Sequence, residues 1–387
     1  LTFIPVSPEK PILLYGTSIA QGACASRPGM TWGTILQRSL GYPLINLGFS
    51  GNGRLEKEVL DFICEIDARL YILDCLPNLT PKSKDEITQL VSDAVKQIRA
   101  THSSPILLVE HAGYSNAPAD DTKLQDYTRM NEGAKKAFEE LQAQGIKDIY
   151  YLTREELGQA NAVERKVREI LRIPEGDLST TKPVTQRREP NNYEWQKRHR
   201  DILALNQSNP PRRVILGNSI THFWGGEPKG PSVRGLETWE KIMRPAGFHN
   251  LGYGFDRIEN VLWRVYHGEL DGYKAEEVVL MIGTNNIGIN NDNEIVEGIR
   301  FLLSAIRQRQ PEAKIKVIGI LPRRNQEERV RNLNLRIRQI AETGWYTFKN
   351  PGTKLLQEDG KINESLFSDG LHPNEEGYKQ IVDEIAH

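Results

Sequence analysis

Cysteine is scarce in this chain: three in 387 residues, Cys24, Cys64 and Cys75. Their positions form no metal-ligand spacing, and any single bridge would leave an odd thiol. Neither a zinc site nor a disulfide framework is expected, and the three read as small buried hydrophobes. Long apolar runs are also missing. No stretch approaches the roughly 18 residues that a membrane-spanning helix needs. Charge of one sign is not in excess, with 50 Lys and Arg against 51 Asp and Glu and a formal net charge of −1. That balance gives no basis for a nucleic-acid partner or an anionic membrane surface. The chain opens on Leu1 instead of Met, the pattern of a processed product or a fragment.

What is present is a globular composition, 38% hydrophobic and 26% charged, in a chain long enough for two domains with a core each. It carries an internal repeat. Ile12-Leu13-Leu14-Tyr15-Gly16-Thr17-Ser18 matches Val214-Ile215-Leu216-Gly217-Asn218-Ser219. Asn46-Leu47-Gly48-Phe49-Ser50-Gly51 matches Asn250-Leu251-Gly252-Tyr253-Gly254-Phe255. Leu70–Asp74 with Pro77-Asn78 matches Val278–Gly283 with Thr284-Asn285, and Pro105–Val109 matches Ile315–Ile320. The period is too long for a solenoid and fits duplication of a whole domain.

Each short apolar run reads as a buried parallel strand. Lys84–Arg99 and Glu294–Gln308 carry apolar residues at three- and four-residue intervals and read as helices between strands. Strands alternating with helices imply a parallel sheet covered on both faces, with any site at the carboxyl ends of the strands. The expected division is a first domain over 1–173, a linker over 174–192 and a second domain over 193–387. Pro174-Glu175-Gly176-Asp177 and Thr180-Thr181-Lys182-Pro183 supply the linker signal, and Tyr193–Asn206 reads as a short helix entering the second domain.

In the second half a serine, glycine-rich turns, an asparagine and Asp-x-x-His follow one another in the order that serine-based acyl transfer needs. Ser219 is a poor nucleophile unless a base is in reach, and His372 is the candidate. Asp369, three residues before it, can orient the imidazole and fix its tautomer. The backbone N–H of Ser219, a backbone N–H near Gly254-Phe255 and the side-chain amide of Asn285 are the candidate oxyanion donors. Trp224, Trp239 and Trp263 read as core, with Trp224 the exception: its loop-like setting before Gly225-Gly226 suits a substrate-stacking ring. His222 is a candidate to line the cleft. Arg323, Arg324 and Arg329 read as a solvated face.

These residues resemble the SGNH (GDSL-type) hydrolase family, whose four blocks carry Ser, Gly, Asn and Asp-x-x-His. The second half is similar to it from about Tyr193 to His387. It resembles most the branch that includes the catalytic subunits of platelet-activating-factor acetylhydrolase, through Asn260–Arg264, Gly268-Glu269-Leu270, Gly283–Asn286, Arg309-Gln310-Pro311 and Leu321-Pro322-Arg323. The resemblance implies two tandem α/β domains, each a flavodoxin-like α/β/α sandwich around a parallel sheet. It implies Ser219 as nucleophile, Asn285 as oxyanion amide, and Asp369 with His372 as the acid–base pair. The family's oxyanion glycine falls on Phe255, one residue after Gly254, which keeps a backbone donor but narrows the pocket.

Residues 11 to about 172 resemble a bacterial branch of the same family with Gly-Thr-Ser in place of Gly-Asp-Ser. Ser18, Gly51 and Asn78 take the nucleophile and oxyanion positions by that resemblance. The Asp-x-x-His block is absent: Glu156–Gln159 runs straight into Ala160–Glu164, which reads as the last helix. Either the block is lost, or it belongs to the full protein between Gln159 and Ala160. His111 follows a strand-like run and is a candidate substitute base, with an ordinary loop histidine as the alternative reading. The expected activity is hydrolysis of carboxylic esters through an acyl-serine, without metal or cofactor, on O-acetylated carbohydrate, with a secreted or periplasmic location. Lipid or small acyl esters, and a non-catalytic carbohydrate-binding or scaffolding role for the first domain, are the alternatives. The oligomeric state is not implied.

Overall fold

The apolar runs, most of them ending in glycine or a polar residue, form the strands of two parallel sheets. The computed structural model describes residues 9–23, 25–27, 29–114, 120–159, 161–189, 191–342 and 344–387. Leu1, Cys24 and Ala160, with the junction it forms, lie outside them. The chain divides into two compact units, Leu1–Pro174 and Glu175–His387.

The first unit contains β1 (Ile12–Gly16), β2 (Leu44–Gly48), β3 (Leu70–Asp74), β4 (Ile106–Val109) and β5 (Ile149–Leu152), in the order β2-β1-β3-β4-β5. The second contains β6 (Arg213–Gly217), β7 (Phe248–Gly252), β8 (Glu277–Met281), β9 (Lys314–Ile318) and β10 (Thr347–Lys349), in the equivalent order β7-β6-β8-β9-β10. Every pairing is parallel. The registers coincide as well. Gly16 stands opposite Gly48 and Asp74, and Gly217 stands opposite Gly252 and Met281. Two copies of one doubly wound α/β domain therefore follow each other, each with its topological switch point at the carboxyl end of its first strand.

The helix Lys84–Arg99 begins where expected because Ser83 and Glu86 close a capping box. The helix expected over Glu294–Gln308 runs from Asp292 to Arg309, since Asn291 is its cap and Glu294 is the third residue, bonding back to Asn291 N–H. The entry helix of the second unit is Trp195–Ser208, and Tyr193 stands outside it with its hydroxyl bonded elsewhere. Residues expected as a linker pack on the second unit because their polar groups find partners there. Thr180 Oγ1 donates to Glu294 C=O (2.7 Å), and Val184 N–H donates to Glu259 C=O (3.2 Å).

Gly217 and Gly252 allow the turn Ser219–His222 to sit down on the sheet. A Cβ on Gly217 would lie 2.1 Å from Thr221 Oγ1, and one on Gly252 would lie 2.3 Å from His222 N. Among the described residues no helix is long and apolar enough to cross a membrane. Cys75 is buried and Cys64 is half-buried.

Candidate active site

Strand β6 ends at Gly217, Asn218 caps the next turn by accepting from Ile220 N–H (2.9 Å), and Ser219 is that turn's first residue. Its N–H has no acceptor among the described residues, as expected at a helix start. The tail of the chain reaches the same point through the helix Glu375–Ala386. Tyr378 in that helix donates its hydroxyl to Ile220 C=O (2.6 Å). The imidazole just ahead of the helix is thereby placed over the serine: His372 Nε2 lies 2.8 Å from Ser219 Oγ.

His372 Nδ1 lies 2.8 Å from Asp369 Oδ2. The backbone N–H groups of Leu371 and His372 both donate to Asp369 Oδ1 (3.1 and 2.8 Å), which fixes the carboxylate. Burial pushes the Asp369 carboxyl up, but the His372 N–H, the imidazole and the Arg234 guanidinium outweigh it and hold the group well below the usual carboxylate range. With an ionised carboxylate at Nδ1, the proton sits there and Nε2 is left to accept from the serine hydroxyl. Burial depresses the His372 pKa. Asp369 opposes that, and the cations Arg234 and Arg323 add to the lowering.

Sequence reasoning missed Arg234. Its Nη1 donates to Asp369 Oδ2 (3.0 Å), and its guanidinium lies over the Phe223 ring, which packs on His372. A long side chain reaching in from a loop leaves no periodic signal. Arg323 is likewise no solvated face: it donates to Thr284 C=O (3.1 Å), beside Asn285. Arg324 pairs with Glu364 and Arg329 with Asp292.

The candidate oxyanion donors lie beyond the ends of β7 and β8. Phe255 has φ +65°, a left-handed conformation rare for an aromatic residue. Its N–H has no partner among the described residues. The Gly254 N–H, also a candidate donor, is occupied: it donates to His222 Nδ1 (3.1 Å). Asn285 donates one amide hydrogen to Asp256 C=O (2.9 Å), which orients the amide and leaves the other hydrogen unpartnered. Beneath the loop, Arg264 is fully buried between Asp256 (2.9 Å) and Glu269, and Tyr253 and His199 also bond Glu269. Burial, opposed by Arg264 and Trp195, brings Asp256 up to about 6.

Two expected substrate contacts fail. Trp224 has no exposed surface. Its ring stacks on Tyr378 at 4.7 Å, and its indole N–H donates to Thr238 Oγ1 (2.9 Å). The ring braces the tail helix against the nucleophile turn. His222 is also buried and serves the loop through Gly254, with burial and then the nearby Arg198 and Arg264 keeping it neutral. Trp239 and Trp263 are buried, as read.

The first unit repeats this geometry except for a counterpart of Asp369 and His372 among its described residues. Ser18 begins the turn after β1, Gly51 has φ +72° where the second unit has Phe255, and Asn78 donates to Asn52 C=O as Asn285 does to Asp256. Asn46 donates to Ala20 C=O and Asn250 to Thr221 C=O, in the turns that begin at Ser18 and Ser219. No described imidazole bonds Ser18. His111 accepts from Gly113 N–H at Nδ1 (2.8 Å) and packs against Tyr114 and Tyr127, with burial and Arg154 bringing it down to about 4. It supplies no base to Ser18.

A family model described as GDSL-like Lipase/Acylhydrolase family matches residues 9–168, and a second with that description matches 215–380. The chain is 27% identical over 194 residues to platelet-activating factor acetylhydrolase IB subunit alpha1 of Bos taurus, covering 48% of this chain and 78% of that one. It is 29% identical over 197 residues to subunit alpha2 of Homo sapiens, covering 48% and 80%. A structure from Bacteroides ovatus solved as a GDSL-like lipase shares 33% identity with a TM-score of 0.40. The match covers 43% of this chain and about half of that one, 55%.

Proposed function

Since the chain belongs to the GDSL-like lipase/acylhydrolase family in both of its halves, and is a carboxylic ester hydrolase, we propose that Ser219 is the nucleophile of its second unit. The carrying observation is the unbroken line from Asp369 through His372 to Ser219 Oγ. As Oγ attacks the ester carbonyl, its proton passes to His372 Nε2. The negative oxygen is received by the N–H groups of Ser219 and Phe255 and by the Asn285 amide. His372 then protonates the departing alcohol and the acyl group stays on Ser219. Water, deprotonated by the same nitrogen, attacks the acyl carbonyl, and the carboxylic acid leaves with Ser219 regenerated. Asp369 stays ionised throughout and orients the ring.

The proposed acyl group is acetyl, which the names of the platelet-activating factor acetylhydrolase relatives support. The proposed alcohol is a carbohydrate hydroxyl, and a secreted or periplasmic location accompanies that substrate. The relatives' names favour a lipid alcohol as the second reading. Acetate release from a panel of acetylated glycans, set beside short-chain acyl lipids and nitrophenyl acetate, tests the choice. Faster turnover of the lipid panel replaces the carbohydrate reading, and equal turnover by Ser219→Ala protein removes the second unit as catalyst.

For the first unit we propose binding of the same acyl class through Ser18, Gly51 and Asn78 without turnover in this chain, because no described base accompanies the serine. A Ser18→Ala protein with unchanged acetate release and weaker retention on acetylated glycan supports this; loss of turnover makes Ser18 a second catalyst.

A further inference from the structure

The oxyanion loop Gly254-Phe255-Asp256 is gripped by side chains at every carbonyl. Gly254 C=O accepts from Tyr193 Oη (2.8 Å) and Gln186 Nε2 (3.1 Å). Phe255 C=O accepts from Arg188 Nη2 (2.9 Å), and Asp256 C=O from Asn285 (2.9 Å). Trp195 Nε1 donates to the Asp256 carboxylate (2.7 Å). Apart from Asn285, the donors are Gln186, Arg188, Tyr193 and Trp195, close together in the sequence ahead of β6.

The geometry of the peptide group gives this grip a catalytic meaning. Gly254 C=O and Phe255 N–H belong to one planar trans peptide, so they point in opposite directions. Two donors that hold the carbonyl on one side therefore aim the N–H to the other. Such aiming is needed because Phe255 sits in a left-handed conformation that costs on the order of 1–3 kcal/mol and that a peptide rotation would relieve. The first unit needs no such grip. Gly51 adopts the same φ freely, Arg54 from within the loop bonds its carbonyl (2.9 Å), and no described side chain donates to Ser50 C=O.

We propose that residues 186–189 and 191–195 form a strap that presets the Phe255 N–H for the oxyanion, with Tyr193, Gln186 and Arg188 as positioning residues. The proposal rests on the reading of Ser219 as nucleophile. In the full chain, Tyr193→Phe removes one bond to Gly254 and keeps the ring that packs edge-on against His222 at 4.8 Å. The expected result is a fall in kcat of about tenfold, and about a hundredfold for Tyr193→Phe with Gln186→Ala, with KM within about twofold. Affinity for a short alkylboronic acid, which forms a tetrahedral adduct on the serine, falls in parallel, and the pH profile keeps its acid limb. Arg188→Lys retains more activity than Arg188→Ala. The strap is overturned if the double variant turns over within about twofold of the parent while its melting temperature falls, or if KM rises at constant kcat. Ser219→Ala assayed beside them separates the cases: an active Ser219→Ala protein removes the nucleophile reading itself, whereas a dead one with an unaffected double variant removes only the strap.

Discussion

His372 Nε2 lies 2.8 Å from Ser219 Oγ, across 153 positions of chain. The tail helix makes that meeting possible by docking on the nucleophile turn through Tyr378 and Ile220. Replacing either partner removes the 2.8 Å contact. Ser219→Ala and His372→Ala should each lower kcat for a short acyl ester by about 10⁴-fold or more. Asp369→Asn should cost less than either. Steady-state kinetics on the three proteins checks the order.

With His372 as the proposed base, an acid limb is expected in the pH profile. Only the neutral ring accepts the serine proton, so activity is full above its folded pKa and is lost as pH falls through it. Burial, then Arg234 and Arg323, against the pull of Asp369, places that pKa below the ordinary value of about 6.5. The half-maximal point of kcat/KM should therefore lie below that value. Arg234→Ala removes a cation beside the ring and unpairs Asp369, both of which favour the imidazolium. The limb should move to higher pH, and a limb that stays or moves lower contradicts this assignment.

Asn285→Ala should lower kcat by about 10²- to 10³-fold with little change in KM, because an oxyanion donor acts on the transition state and not on the bound ester. A rise in KM at constant kcat would make the amide a substrate-binding group instead.

Trp224→Ala should behave as a core lesion. The ring is wholly buried on Tyr378. Its loss should cost about 3–5 kcal/mol of stability in a denaturant titration, with KM of the surviving folded protein unchanged.

The strand ends and the Asp369-x-x-His372 spacing were legible in the sequence because they are local: a glycine-terminated apolar run, or two side chains three residues apart. The duplication was legible for the same reason, and the shared registers of Gly16 with Gly48 and Gly217 with Gly252 follow from it. Side chains that reach across the fold were not. Arg234, Arg188 and Tyr193 act through long side chains that reach residues far away in the sequence, so the groups that hold Asp369 and the loop at Phe255 leave no local pattern. Trp224 was misread because the glycines after it resemble an open loop, whereas its ring turns inward. Strand β10 has only three residues, largely exposed at a sheet edge, and shows no apolar run.

The most direct measurement is covalent labelling of the intact chain with an alkyl fluorophosphonate, followed by peptide mass mapping. The expected adduct lies on Ser219, is lost in Ser219→Ala and forms far more slowly in His372→Ala. Label on another residue, or label on Ser219 at an undiminished rate without His372, would contradict the account.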